Sequence, residues 1–387
     1  MTVEWFDLGQ RLQAQVTGSV SPRLRLAPIT TSAHPVAVRA TSDGRTVTVT
    51  AATRGEAPAT ASGPAALDLL GSLGVTVSAP SPATLVTDSP TTLGLLHRLA
   101  LSADVGSEGD DVAAHIAWWR ARSDFPGGRA VVDTIEACRT RWVAGTAPRA
   151  EQDPGIWRTW LGVADESVAG VLGIYALLTT GDELPFLSVL AEDDVWSWGA
   201  AQNEYADGWD WRRPDTISRA ATGLRSRCDA ADLYAAALLG DPLFRRRAVH
   251  TGHVVIGTGV PLGDRLKRCR VTCGRLDARL RPGNDLIGWV GSPTANAPTF
   301  SAKVSAAEVE HGSLVLTLSG LTGPGPAPGE PVTLHAAPPN PHRQRSGRKA
   351  YRALFAARRS WLTTGRTPTP MRRDVPLDVL VAGADAD

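Results

Sequence analysis

Apolar and polar positions alternate at the start of the chain. Val36, Val38 and Ala40 stand apart by two, Ser42-Asp43-Gly44 supplies a turn, and Val47 and Val49 resume the rhythm. Period two on both sides of such a turn predicts a β-hairpin. A short helix is expected at Ala65–Leu73, strands at Val75–Ser78 and Thr84–Val86, and a mobile loop at Ala57–Pro64. From Ser89 the rhythm lengthens to three and four. Ser89-Pro90 has the residue types of a helix start, with Leu93, Leu96 and Leu99 following on one face. Further helices are expected after Asp110 or Asp111, over Val131–Val143, after Asp153-Pro154, over Ser167–Leu178, Phe186–Leu190, Asp215–Arg225 and Ala230–Leu239. Ser167–Leu178 is apolar nearly all round, the pattern of a central buried helix.

At His250 the pattern changes again. Val254–Ile256, Leu266–Cys273, Asp285–Val290, Phe300–Ala306, Leu314–Leu318 and Val332–Leu334 are six short strand candidates separated by Gly, Pro and Asn. Strands punctuated in this way predict a small closed barrel or a sandwich. Arg348–Leu362 has the spacing of a basic amphipathic helix, and Val375–Val381 that of an edge strand. The expected fold is α+β and multidomain. It comprises a small β-rich region (1–88), an acidic helical domain (89–249), a β-barrel-like module (250–336) and a basic helical tail with a terminal strand (337–387).

Composition adds little except through the placement of charge. The chain has 387 residues, 43% apolar and 20% charged, as an ordinary globular protein does. Its formal net charge of +1 conceals two opposed blocks. Arg245–Arg373 holds 21 Lys/Arg against 6 Asp/Glu, and the remainder holds 19 against 33. From Arg343 to Arg373 there are ten basic residues and no carboxylate. Such asymmetry points to a polyanionic partner or to docking on an acidic protein surface. Arginine almost replaces lysine, which occurs only at 267, 303 and 349, so a single arginine carries little weight. The N-terminus carries Glu4 and Asp7 and lacks the basic and apolar regions of a signal peptide, and no apolar run is long enough to span a bilayer. A cytoplasmic location is the expectation, with no membrane association.

Three constellations could carry chemistry. On Leu266–Cys273, Arg268, Arg270 and Thr272 face one way and Cys269, Val271 and Cys273 the other, so one arginine row is expected on solvent. Arg275 and Arg279 continue that charge. In the tail, Arg348, Lys349, Arg352, Arg358 and Arg359 lie near Tyr351, Phe355 and Trp361. Guanidinium groups neutralise phosphates and aromatic rings stack on unpaired bases, so this mixture suits nucleic acid; the same rings could equally form the buried face of the helix. Second, His250, His253, Cys269 and Cys273 include the ligand types of a zinc site. On a strand, however, the two cysteines would stand about 13 Å apart, so buried structural thiols are the better expectation and no metal is assigned. Third, Glu192–Asp215 mixes seven carboxylates with Trp196, Trp198, Tyr205, Trp209 and Trp211. It reads as an ordered loop pinned by tryptophan, with a partner-binding loop and, less favoured, catalysis as the alternatives.

No Gly-Lys dipeptide, Gly-x-Ser-x-Gly elbow or His-Glu-x-x-His helix occurs, and Gly257-x-Gly259 lacks the third glycine of a dinucleotide fingerprint. No catalytic residue and no cofactor is assigned. The expected function is therefore non-enzymatic binding of DNA or RNA, as a subunit or accessory factor of a larger assembly with a protein partner. Two alternatives stand beside it: a scaffold assembling through its opposed acidic and basic regions, and a metal-dependent hydrolase or nuclease using carboxylates of 192–215.

Overall fold

The computed structural model describes residues 5–263, 267–291, 298–358 and 364. It is mixed α+β, as the sequence predicts, and divides into two compact units. The larger is Met1–Arg213 with Arg227–Pro341; the smaller is Pro214–Ser226 with His342–Asp387.

The first part of the chain runs α1 (Trp5–Thr17), β1 (Ser21–Pro22), β2 (Pro35–Ser42), β3 (Val47–Thr53), β4 (Ala59–Ser62), α2 (Ala65–Ser72), β5 (Thr84–Thr87), α3 (Thr92–Ala100), α4 (Glu108–Arg122) and β6 (Val131–Asp133). The expected hairpin is β2–β3, in register from Val36 opposite Thr53 to Ser42 opposite Val47. It sits in a five-stranded sheet of order β4-β3-β2-β5-β6, in which β2, β5 and β6 run parallel. Parallel strands need helical crossovers, and these cover the sheet. Leu67, Leu70, Leu96, Ile116 and Trp119 pack on the face carrying Val36, Val38 and Leu85. The opposite face, with Ala37, Ala52, Val86 and Val132, meets a second helical layer. Because both faces are covered, residues 35–38 read as one apolar run.

That second layer contains α5 (Thr134–Arg141), followed by β7 (Trp142–Val143), α6 (Pro154–Leu161) and α7 (Val168–Leu178). The helices expected after Asp153-Pro154 and over Ser167–Leu178 are α6 and α7, capped by the Asp153 and Ser167 side chains. Apolar α7 packs on the sheet rather than at the centre of a bundle, through Val171, Ile174, Tyr175 and Leu178. Several expectations are corrected here. Val131–Val143 is not one helix: Val131–Asp133 is a strand, because β-branched Val131 and Val132 complete the sheet, and Asp133 caps α5 through Ile135 N–H (2.9 Å) and Glu136 N–H (3.2 Å). The loop expected at Ala57–Pro64 contains edge strand β4, whose Thr60 and Ser62 bond Thr50 and Thr48 across the sheet. Val75–Ser78 forms no strand, and the first helix of the region, α1, had no counterpart in the reading.

Next come α8 (Leu187–Ala206), α9 (Ile217–Gly240) and α10 (Pro242–Ala248). The two helices expected at 215–225 and 230–239 are the single α9, since nothing between them breaks a helix. The barrel follows: β8 (Val254–Pro261), β9 (Arg268–Cys273), β10 (Asp285–Val290), β11 (Phe300–Glu310), β12 (Ser313–Thr322) and β13 (Glu330–Ala336). All six expected strands are present and close in the order β10-β11-β12-β9-β8-β13. Closure leaves no free edge. Period two fills the interior with Val271, Leu286, Phe300, Val304, Leu316, Leu318, Val332 and Leu334. Gly288 directly opposes Phe300, and its missing side chain is what admits that ring to the interior. Outside, Trp289 and His335 are buried, and the Arg245 guanidinium of α10 lies 4.3 Å over the Trp289 ring. The barrel is therefore seated on α10. Last is α11 (Pro341–Ala356), in the smaller unit.

Candidate nucleic-acid interface

Asn340-Pro341 has the residue types of a helix start, and Arg, Lys, Gln, Ala and Leu then sustain α11. The helix begins seven residues before the expected Arg348. It closes through Ala357 N–H to Ala353 O and Arg358 N–H to Phe355 O, both 2.9 Å, with Arg358 in the left-handed region at φ 51°. Arg359, Trp361 and the strand expected at Val375–Val381 lie outside the described residues.

Burial along α11 fixes its phase. Pro341, Gln344, Arg348, Tyr351 and Phe355 are half-buried or buried, at spacings of three and four, and form one seam. Tyr351 and Phe355 meet edge to face, with ring centroids 4.8 Å apart, and Phe355 is 7% exposed. Tyr351 and Phe355 lie on the packed side of the helix. Lys349 and Arg352 are exposed, as are Arg343 and Arg345, which the sequence reading passed over. Counting back from Phe355 at helical spacing would have found them. In the smaller unit the described residues include eight Lys/Arg and a single carboxylate, Asp215, which pairs with Arg219 at 3.0 Å.

The barrel arginines have another setting. The alternation on β9 is as expected: Arg268 and Thr272 are exposed, Arg270 is half-exposed, and Cys269, Val271 and Cys273 are buried. Yet Arg270 pairs with Glu310, reaching across β12 to β11. Arg275 is held by Asp277, with Nε 2.9 Å from Oδ1. Arg279 Nη1 lies 3.1 Å from His253 Nε2. Arg268 shares an outer row with Ser319, Lys303 and Asp285, the last three lining a shallow recess of about 450 Å³. In sequence, His250–His335 carries eight Lys/Arg against six Asp/Glu, so it is close to neutral. The structure thus places the proposed contacts in two separate compact units, and the density of positive charge is in the smaller one.

The cysteines and histidines do not converge. Cys269 and Cys273 point into the barrel core, and burial raises both thiols, that of Cys273 to about 12. His253 is exposed and bonds Thr251 Oγ1 at 2.9 Å; partial desolvation of its ring and the neighbouring Arg279 lower its pKa. Glu192–Asp215 is likewise not a loop throughout, for it is helix up to Ala206. Two of its carboxylates are held in separate contacts. Asp194, fully buried, accepts from Arg122 Nε (2.6 Å) and from the N–H groups of Arg129 (2.7 Å) and Ala130 (3.3 Å), fixing the approach to β6. Asp210 lies within salt-bridge distance of Arg212 and Arg213. Among the described residues no three His, Cys, Asp or Glu side chains gather as metal ligands.

No protein-family model, curated protein or solved structure matches the chain.

Proposed function

We propose that the protein binds nucleic acid without catalysing a reaction on it, as a subunit or accessory factor of a larger assembly, and that α11 is its principal contact. The observation that carries this reading is the charge of the smaller unit: eight cations face one carboxylate among its described residues, and Arg343, Arg345, Lys349 and Arg352 are exposed on one helix. A polyphosphate backbone is the macromolecular partner such a surface fits best, since each phosphate neutralised releases condensed counterions.

The test is a titration of the whole chain against labelled oligonucleotides at increasing salt. Four phosphate contacts on a duplex give a log–log slope of about −3.6, so affinity falls about 100-fold between about 50 and 200 mM salt. Absence of binding at the lowest salt would remove this reading in favour of assembly through protein surfaces alone.

A further inference from the structure

We propose that the seat of the barrel on α10 is an acid-released latch, closed while His335 is neutral and opened when its ring takes up a proton.

The barrel closes on itself around its own interior, and Trp289 and His335 stand on its outer surface. Both are nonetheless buried, with Arg245 of α10 over the indole. The two rings lie 5.0 Å apart between centroids, tilted by 34°. His335 stands opposite Val254 of β8 and Ile287 of β10. Val254 in turn packs with Leu239 of α9 and Ala248 of α10. A small apolar cluster and a polar one therefore share the seat.

The polar cluster suits a neutral imidazole. His335 Nδ1 lies 2.7 Å from Ala336 O, so in the neutral ring Nδ1 carries the proton and donates it. Nε2 is buried without a hydrogen-bond partner among the described residues, and so is the indole N–H of Trp289. A second proton would put an unreceived N–H and a positive charge into the contact beside the Arg245 guanidinium. Burial lowers the imidazole pKa, the bond to Ala336 O raises it and Arg245 lowers it, with burial prevailing.

The surrounding elements do not reverse that balance. On α10, Asp241 caps the first turn and draws Arg245, Arg246 lies 5.8 Å from the Phe6 ring, and Arg247 bears on Asp7 and Arg23. After Asp232, α9 runs uncharged to its end. β8 carries no charge, and His253 before it lies beside Arg279. On β10, Asp285 is exposed in the shallow recess, two residues before Ile287. On β13, Glu330 stands at the far end and accepts from Ala327 N–H. The charge that bears on the ring is that of Arg245.

An open seat returns the ring to water, where it protonates near pH 6.5. The latch is thus fully closed above about pH 6.5 and weakens as pH falls toward the lower value of the seated ring. Between about pH 7.5 and 5.0 its opening equilibrium rises by up to about 30-fold. The barrel interior holds only apolar side chains and two thiols of raised pKa, which do not titrate in this range, so release leaves the barrel folded.

The experiment is native-state thiol labelling of the full chain carrying Ala248→Cys, with each rate normalised to a free cysteine peptide at the same pH. Ala248 is buried in the seat, while Cys269 and Cys273 report the barrel interior and Cys138 the sheet, all in one sample. From about pH 7.5 to 5.0 the introduced thiol should gain about 10- to 30-fold in normalised rate, with Cys269 and Cys273 still protected. Adding His335→Gln or His335→Phe, neither of which titrates, should abolish that gain. An unchanged rate in acid would overturn the latch, and so would a gain that survives both substitutions. A gain shared by Cys269 and Cys273 would mean that the barrel unfolds rather than unseats, which also overturns it. If a His335 substitution itself opens the seat at neutral pH, the thiol labels fast at both pH values and the Ala248→Cys protein alone decides.

Discussion

Asp241 is a carboxylate on which two distant parts of the larger unit converge, and its removal has a calculable cost. The side chain is fully buried. Its Oδ1 accepts from Leu243 N–H (2.8 Å) and Phe244 N–H (3.1 Å), capping α10. Its Oδ2 accepts from Arg25 N–H (2.7 Å) and Leu26 N–H (2.9 Å), more than two hundred residues earlier in the chain. Asp241→Ala removes a helix cap, worth about 1 kcal/mol. It also strands two further N–H groups at about 1 kcal/mol each, for a total of about 3 kcal/mol. Asp153→Ala is the internal control. Asp153 is exposed and caps α6 through Gly155 N–H alone (2.8 Å), so about 1 kcal/mol is expected. The assay is urea unfolding followed by tryptophan fluorescence, comparing midpoints at constant slope. Equal losses in the two variants would refute this, because the excess for Asp241 comes from its hold on Arg25 and Leu26 and from its charge beside the buried Arg245.

Three further expectations concern the core and the titrating groups. His115 is buried among Trp118, Trp119 and Trp198, and burial lowers its pKa to about 4. The unfolded chain therefore takes up the proton first: stability is full above about pH 6.5 and falls by about 3 kcal/mol toward pH 4. His115→Gln should remove that part of the acid slope; an unchanged slope in parallel urea titrations would contradict it. Leu316→Ala, in the barrel interior at 0% exposure, should cost about 2–5 kcal/mol, whereas Leu12→Ala, on the exposed side of α1, should leave the unfolding midpoint unmoved. In the native protein a thiol reagent should modify Cys228 rapidly and spare Cys138, Cys269 and Cys273, whose burial raises their pKa values; more than one fast thiol in a stopped-flow assay would contradict the barrel packing.

The barrel could be read from the sequence because each strand alternates cleanly and Gly, Pro or Asn separates it from the next. The sheet could be read only in part: the β2–β3 hairpin and β5 were expected, β4 and β6 were not. β6 is three residues long and runs directly into a helix, so no window of period two exists to detect it. In β2 the alternation of Val36, Val38 and Ala40 showed the hairpin, but with Val36-Ala37-Val38 all buried it did not show that a second layer covers the other face. Carboxylates misled in the same way at Glu192–Asp215: acidic density resembles a loop, and nothing local announces that Asp194 is buried against Arg122. Of the candidate contacts, the facing of Arg268 and Arg270 was legible from period two alone. The Arg270–Glu310 pair was not, because β11 shifts register twice against β12 before reaching Glu310. On α11 the spacing of aromatic and cationic residues was visible, but only burial shows that Tyr351 and Phe355 mark the packed seam and that Arg345, Lys349 and Arg352 lie outside it.

The account turns on α11 as a polyphosphate-binding surface, and the salt dependence of DNA binding tests it most directly. Whole-chain protein and the Arg345→Gln/Lys349→Gln/Arg352→Gln variant are titrated with the same DNA duplex from low to moderate salt. The account predicts a slope of about −3.6 for the unmodified protein and about −1 for the variant. Two superimposable lines, or no binding by either protein at the lowest salt, would contradict it.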